Sequence, residues 1–198
     1  TISNPRDTTK SPPKPFHTSR LLQVASNILH ISPSETMRLC QQLYQTGYIT
    51  YMRTESTKYA KPFLQEISKY IQEEYGSEKY VGNIDELENK QSNNPHEAIR
   101  VTQLINKTIG SDDVRLVSMY KLIWKNTVES CMSEAKYKAI PLEVSGPEKT
   151  KYTYTHEIPI FLGWKTVSDK KLDTDTQNEA NGLHMFFKTQ LQKPIKYN

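Results

Sequence analysis

Hydrophobic residues recur at helical spacing in four segments before residue 135, and these segments predict four helices. The first covers about Thr18–Leu29, the third about Lys61–Tyr75, and the last about Asp112–Met132 with Ser111 as its cap. The second lies between the first and the third and ends at Gly47. The residues predicted to face a core are Leu21, Val24, Ala25, Ile28, Thr36, Leu39, Cys40, Leu43, Phe63, Ile67, Ile71, Val117, Tyr120, Trp124, Val128 and Cys131.

The second helix has the clearest start signal in the chain. Ser32-Pro33-Ser34-Glu35 places a serine at the N-cap, a proline at the first helical position and a glutamate three residues after the cap. These residue types at these positions form a capping box. Together with the first helix and a strand that carries Tyr51, this helix predicts a layout similar to a helix-turn-helix.

The hydrophobic pattern changes near residue 135, where we expect a domain boundary. Residues 1–15 are polar and rich in proline, which predicts a linker or an extended entry strand, and residues 76–95 predict a loop. The pattern alone predicts an α+β chain with a helical part followed by a β part. The runs with β-strand character are Lys138–Val144, Lys151–His156, Ile160–Val167 and His184–Gln192, separated by Gly146-Pro147, the polar stretch 168–181 and Gly182.

Composition narrows the class of protein only slightly. The 198 residues suffice for one large or two small domains, and 35% of them are hydrophobic. No stretch approaches the ~18 apolar residues of a membrane span, and no signal peptide is visible. We therefore expect an intracellular protein without membrane contact. The net charge of +4 permits nucleic-acid binding, although solvated lysines give the same number.

The two cysteines, Cys40 and Cys131, each lie in an apolar helical pattern. This placement favours buried free thiols over a lone disulfide. No spacing of cysteine and histidine suggests a zinc site, and we predict no metal ligands in this chain.

The segment Gly47–Ser56, with the sequence G-Y-I-T-Y-M-R-T-E-S, carries the candidate chemistry. If it is extended, Tyr51 and Arg53 point to the same side, since side chains alternate along a strand. An arginine fork matches phosphate oxygens, whereas free tyrosine, with a pKa near ~10, needs a partner that favours its anion. A phenol beside a guanidinium suits attack on a phosphodiester, although aromatic residues at strand ends more often fill a core or surface.

This segment resembles the active-site motif of type IA DNA topoisomerases, G-x-I-T-Y-M-R-T-D-S, with Glu55 in place of the aspartate. Two further segments match family motifs in the same order. Pro15–Ser19, P-F-H-T-S, resembles P-F-T-T-S with His17 in place of a threonine. Pro95–Arg100, P-H-E-A-I-R, resembles the H-E-A-I-R-P-T region, with Val101 in place of its proline. The matches extend over roughly the first half of the chain.

The resemblance implies a fold in which a mostly helical domain, with the tyrosine, is inserted in a β-rich domain. The two form the central arch of the enzyme over a toroidal hole. In this chain, residues 1–15 and 136–198 correspond to the two segments of the β-rich arch domain. Residues 16–135 correspond to the helix-turn-helix-like insert.

The resemblance also implies roles for individual residues. Tyr51 attacks a phosphate of single-stranded DNA and keeps the 5′ phosphate, and religation needs no ATP. Arg53 holds the scissile phosphate; the alternative for Arg53 is a surface ion pair with Glu55. The other candidate DNA contacts are His96, Arg100, Thr50, Thr54, Gln41, Gln42, Thr18 and Ser19. For these, the alternatives are a loop histidine, solvent-facing glutamines, and threonine or serine side chains that cap a helix or have no role in DNA binding.

Type IA enzymes also use an acidic Toprim domain that binds Mg²⁺, and no such acidic cluster is present in this sequence. Asp173-Thr174-Asp175 lies in a predicted polar loop, and we interpret its two aspartates as solvent-exposed acidic residues. The family's later G-I-G-R-P-S-T segment is also absent. We therefore expect a central fragment that cannot cleave DNA alone. Its expected partners are single-stranded DNA, negatively supercoiled duplex DNA, and the Toprim and remaining domains of the same polypeptide, which would supply the Mg²⁺ ligands.

Two other interpretations remain open at this point. A helix-turn-helix DNA-binding module with a β appendage explains the basic charge, but it does not explain three family segments in order. A site-specific recombinase also uses tyrosine, but it needs a spaced set of basic residues around a nucleophile near the chain end. The sequence does not distinguish among relaxing enzymes, decatenating enzymes and reverse gyrase.

Overall fold

The computed structural model describes residues 4–90, 96–146 and 150–168. The chain divides into two compact units, Pro12–Ser133 and a second drawn from Thr1–Ser11 with Glu134–Asn198. The predicted strand His184–Gln192, and the features at Asp173–Asp175, Pro147, Gly182 and Pro95, lie outside the described residues.

The first unit contains four α-helices in its described part. They are α1 (Thr18–Leu29), α2 (Pro33–Gln45), α3 (Lys61–Tyr75) and α4 (Val114–Ser130), with short 3₁₀ turns at Glu78–Tyr80 and Ile84–Leu87. The sequence prediction is confirmed at the bounds of α1 and α3. Gly76, with φ of 72°, ends α3 in the left-handed conformation that glycine adopts most easily. The apolar faces pack together around fully buried side chains such as Leu21, Leu39, Ile67 and Ile123.

The predicted capping box of α2 forms only in part. The backbone amide of Glu35 donates to Oγ of Ser32 at 3.2 Å, and Pro33 occupies the first turn, as predicted. The Glu35 carboxylate instead accepts two hydrogen bonds from Arg38, at 2.8 and 2.9 Å. These bonds to Arg38 lower the pKa of Glu35. In a full capping box the Glu35 carboxylate would accept from the backbone amide of Ser32. Here the charge-assisted bonds to Arg38, one helical turn further on, take its place.

The cap of α4 differs from the sequence prediction. Oδ1 of Asp113, and not Ser111, accepts from the amides of Arg115 and Leu116, at 2.9 and 3.2 Å. Ser111 Oγ accepts from the amide of Asp113 at 3.2 Å, just before the helix begins. A carboxylate at the positive end of the helix dipole is favoured over a neutral hydroxyl. Val117 is only half-buried, and the inward face of the first turns is Leu116, Met119 and Tyr120.

We expect Asp113→Ala to lower the free energy of unfolding by about 1 kcal/mol, because two helix amides lose their acceptor. Ser111→Ala serves as the matched control, since its hydroxyl binds an amide outside the helix, and a smaller loss is expected. Urea denaturation of both variants measures the difference. Equal losses would show that Asp113 is not the dominant cap.

The second unit is a three-stranded antiparallel sheet in its described part, with the order β1 (Arg6–Lys10), β2 (Ala135–Ser145), β3 (Lys151–Phe161). Thr8 lies opposite Tyr137 and Leu142 opposite Tyr154. The predicted strand at 160–167 is wrong: β3 ends at Phe161, and Gly163–Val167 forms a 3₁₀ turn. The Trp164 indole N–H donates to the carbonyl of Lys10 at 3.0 Å, which fixes this turn beside the end of β1.

Cys40 and Cys131 are both free and buried, which confirms the prediction of unpaired thiols. Burial raises the pKa of each thiol to about 12, because the thiolate loses its hydration in the protein interior. Both cysteines therefore remain neutral and unreactive at physiological pH.

Candidate functional site

The segment that carries Tyr51 connects α2 to α3 and is held at its start by the segment that carries His96. Ile49 bridges Val101, and the amide of Thr50 donates to the carbonyl of Arg100 at 2.9 Å. Beyond Thr50 the ladder does not continue, and the chain bends at residues 52 and 53. The predicted strand around Tyr51 is therefore wrong, since it is reduced to an isolated bridge.

The predicted alternation of side chains nevertheless holds along this segment. Met52 and Thr54 are 1% and 7% exposed, whereas Tyr51, Arg53 and Glu55 are exposed. Two buried side chains anchor the segment, and the three side chains between and beside them face outward. Tyr51 and Arg53 are thus both exposed, on either side of the buried Met52.

Two other rings pack against the Tyr51 ring. Tyr44 of α2 meets it edge to face, with ring centroids 5.4 Å apart, and the His96 ring lies 5.8 Å away at an interplanar angle of 34°. Tyr51 remains 38% exposed. The ring is therefore packed against two others while part of it stays open to solvent. The tyrosine and histidine motifs, which are distant in sequence, meet here.

Tyr44 was not predicted as a site residue. It follows Gln41 by three positions on α2, so both residues lie on the same face of the helix. That spacing was visible in the sequence and would have identified Tyr44 as a neighbour of the glutamines. Gln41 and Gln42 themselves are half-buried on α2.

Arg53 makes no hydrogen bond or ion pair with any part of the chain that the structure describes. The alternative of a surface pair with Glu55 is not realised, because Glu55 accepts from His17 at 2.8 Å and from Ser19 at 3.2 Å. An exposed guanidinium that has no protein acceptor retains its full capacity to bind phosphate.

Thr18 and Thr54 join the start of α1 to the tyrosine segment. Oγ1 of Thr18 donates to the carbonyl of Met52 at 2.8 Å and accepts from the amide of Thr54 at 2.9 Å. The amide of Thr18 donates to the carbonyl of Thr54 at 2.8 Å. Oγ1 of Thr54 is buried and accepts from the amide of Ser56. These hydroxyls are occupied in holding the segment in place.

Thr50 and Arg100 are also engaged within the protein. Oγ1 of Thr50 donates to the carbonyl of Ala98 and accepts from the amide of Arg100, both at 3.0 Å. The Arg100 guanidinium binds both carboxylate oxygens of Glu97, at 2.8 and 3.0 Å, and lies 4.0 Å from the centre of the Phe63 ring. The segment from residue 96 to 101 is extended and not helical, so His96 and Arg100 are not neighbours on a helix face.

We expect Arg100→Ala to lower the free energy of unfolding by about 2 kcal/mol, because the half-buried Glu97 carboxylate loses two charge-assisted hydrogen bonds. The double variant Arg100→Ala with Glu97→Ala is expected to recover part of that loss. Thermal unfolding of the single and double variants measures this coupling. Unchanged stability together with weakened DNA binding would instead assign Arg100 to DNA contact.

Among residues 4–90, 96–146 and 150–168, no group of three or more histidine, cysteine, aspartate or glutamate side chains is arranged to hold a metal ion. A search of the same residues finds no helix with the length and apolar character needed to cross a membrane.

Comparison with known proteins gives the family of the chain. The family model described as DNA topoisomerase matches residues 1–193. The chain therefore belongs to the DNA topoisomerase family, in its type IA class.

Individual relatives agree with this assignment. The chain is 34% identical over 183 residues to "DNA topoisomerase 1 type prokaryotic" of Acanthamoeba polyphaga mimivirus, covering 87% of this chain and 21% of that protein. It is 39% identical over 158 residues to DNA topoisomerase 1 of Buchnera aphidicola subsp. Acyrthosiphon pisum (strain APS), covering 78% and 18%. The chain thus spans about a fifth of the length of these curated relatives.

A solved structure shares the fold. Full-length topoisomerase I from Thermotoga maritima matches with a TM-score of 0.68 and 30% sequence identity, over 87% of this chain and 30% of that chain. The mixed helical and sheet architecture predicted from the sequence is thereby confirmed.

Proposed function

We propose that this chain is the tyrosine-bearing part of a type IA DNA topoisomerase and that Tyr51 is the nucleophile. The observation that carries the proposal is the exposed Tyr51 ring, in contact with Tyr44 and His96 and two residues from the exposed Arg53. Tyr51 Oη forms a bond to a backbone phosphorus of single-stranded DNA as the bond from phosphorus to the 3′ oxygen breaks. The phenol gives up its proton and the departing 3′ oxygen gains one to become a hydroxyl, so there is no net change in protons and one phosphodiester replaces another.

The reverse reaction restores the strand without ATP, because the energy of the broken bond is kept in the phosphotyrosine. Between the two steps, another strand passes through the break, and negative supercoils are relaxed. Arg53 binds the scissile phosphate and stabilises the charge that develops on its oxygens, which is where a fixed cation lowers the barrier most. His96, whose ring lies 5.8 Å from that of Tyr51, contacts the same phosphate.

The remaining candidate residues divide by their contacts. Gln41 and Gln42 contact DNA at the surface of α2, and so does the exposed Ser19 at the start of α1, although its hydroxyl also donates to Glu55. Thr18, Thr50, Thr54 and Arg100 contribute to DNA binding through the geometry of the tyrosine segment, since their side chains are bonded within the protein.

The complete activity requires groups that the described residues do not supply. Mg²⁺ would be bound by the acidic Toprim domain of the same polypeptide, outside this chain, and single-stranded and negatively supercoiled DNA are the substrates. Residues 16–135 form the helical insert, and residues 1–15 with 136–198 form the β-rich arch domain. The protein acts inside the cell, in the cytoplasm or at the nucleoid.

Relaxation of a negatively supercoiled plasmid by a full-length protein that contains this chain tests the proposal. We expect relaxation with Mg²⁺ and without ATP, and no relaxation after chelation with EDTA. The 198-residue chain alone is expected to leave the plasmid uncut. Relaxation that needs ATP, or metal-dependent cleavage by the isolated chain, would contradict this assignment.

A further inference from the structure

Two of the motif positions at which this chain departs from the family motifs, His17 and Glu55, are in contact with each other. His17 replaces a threonine of P-F-T-T-S, and Glu55 replaces the aspartate of the tyrosine motif. Nδ1 of His17 lies 2.8 Å from Oε2 of Glu55, although the residues are 38 positions apart. Because a carboxylate only accepts hydrogen bonds, the imidazole nitrogen is the donor. The two departures therefore form one interaction.

The same carboxylate is bonded to the first turn of α1. Ser19 Oγ donates to Oε1 of Glu55 at 3.2 Å, so both carboxylate oxygens have a donor from the start of this helix. His17 is the N-cap residue of α1, and its side chain makes no capping bond to the helix backbone. A negative charge is favoured at this end of a helix, which adds to the two hydrogen bonds.

The contacts of Glu55 with His17 and Ser19 determine whether Glu55 can also pair with Arg53. Arg53 and Glu55 lie on either side of the buried Thr54 and are both exposed, so their opposite charges are close enough along the chain for an ion pair to be expected. Arg53 nevertheless has no ion pair within the described residues. The Glu55 charge is directed toward His17 and Ser19 instead.

We propose that His17 is a positioning residue that holds Glu55 against α1, so that Arg53 stays available to a DNA phosphate. This rests on the proposed function in taking phosphate as the ligand of Arg53. A threonine at position 17 is too short to replace the imidazole contact. A glutamate at position 55 would then be released to compete with phosphate for the guanidinium. The histidine at position 17 and the glutamate at position 55 thus compensate for each other.

The test uses His17→Thr, Glu55→Gln and the double variant in a full-length protein that contains this chain. Binding of a short single-stranded DNA oligonucleotide is followed by fluorescence anisotropy. We expect His17→Thr to weaken binding about tenfold, the size typical of losing one charge-assisted contact. The double variant is expected to return to within about twofold of the unsubstituted protein, since a neutral amide does not compete with phosphate. Glu55→Gln alone should bind no more weakly than the unsubstituted protein.

Two controls separate this role from a structural one. Threonine is a favoured N-cap residue, so the Tm of His17→Thr should be no lower than that of the unsubstituted protein. In an Arg53→Ala background, His17→Thr should have no further effect on binding. Lys69→Thr with Glu73→Gln removes an exposed ion pair of α3, 3.7 Å long, as the matched control.

The proposal is overturned if His17→Thr binds normally, if Glu55→Gln fails to restore binding, or if the loss persists without Arg53. Undetectable oligonucleotide binding by the unsubstituted protein also counts against it. Covalent attachment of DNA is scored separately on the same samples. Binding that follows the expected pattern without any covalent product would reject the nucleophile assignment alone and leave the role of His17 intact.

Discussion

Tyr51→Phe is expected to abolish both plasmid relaxation and the covalent DNA complex in a full-length protein that contains this chain. Phenylalanine keeps the ring that packs against Tyr44 and His96 but removes the only atom able to bond to phosphorus. The fold and the open surface are therefore retained while the chemistry is lost. Denaturing gels that detect DNA with protein on its 5′ end measure the covalent complex directly.

Tyr44→Phe is the matched control for this variant. It removes a phenol hydroxyl from the adjacent ring and keeps the edge contact 5.4 Å away. We expect it to retain covalent attachment and relaxation, and we expect Tyr51→Phe to bind single-stranded DNA as tightly as the unsubstituted protein. Relaxation by Tyr51→Phe would refute the assignment and would favour the interpretation of the chain as a DNA-binding module.

The sequence predicted the helices well because their ends are determined by local interactions. Pro33 and Ser32 define the start of α2, and Gly76 defines the end of α3, through backbone geometry that depends on neighbours in the chain. The predicted cap of α4, Ser111, was wrong because Ser111, Asp112 and Asp113 all have side chains suited to cap a helix. The choice among them depends on where the packed face of the helix begins.

The strands were less well predicted because their ends depend on partners far away in the chain. The apolar run after Ile160 continues the β pattern, yet β3 ends where Trp164 turns back to bond the carbonyl of Lys10. The tyrosine segment similarly has an alternating pattern, but the segment around Val101 offers it only an isolated bridge. No local pattern specifies such pairing.

In the candidate site, the motifs identified which segments meet but not what each side chain does. The sequence associated Tyr51 with His96 through the family resemblance, and their rings are 5.8 Å apart. The family motifs assigned Arg53 to the scissile phosphate and Arg100 to DNA contact, without showing what either side chain binds within the protein. The structure separates them by their acceptors: Arg100 is bonded to Glu97, whereas Arg53 has no bonded acceptor among the described residues.

Arg53→Ala is expected to lower the rate of covalent complex formation by about 10²–10³-fold, the effect typical of removing one group that stabilises transition-state charge. The free energy of unfolding should stay within about 0.5 kcal/mol, because Arg53 is exposed and bonds no other described residue. The rate of covalent complex formation by Arg53→Lys is expected to lie between those of Arg53→Ala and the unsubstituted protein, since an ammonium keeps the charge but loses the two-pronged geometry.

Arg115→Ala is the matched control for Arg53→Ala, since it removes the same charge from an exposed arginine of α4. In the described part of the chain, the only ion pair of Arg115 is a 3.7 Å contact with Glu35. Single-turnover cleavage of an oligonucleotide at saturating protein isolates the chemical step from binding. If Arg53→Ala and Arg115→Ala slow cleavage equally, the effect comes from net charge and Arg53 has no specific role. A large loss confined to Arg53→Ala, with normal stability, would place the guanidinium at the reacting phosphate.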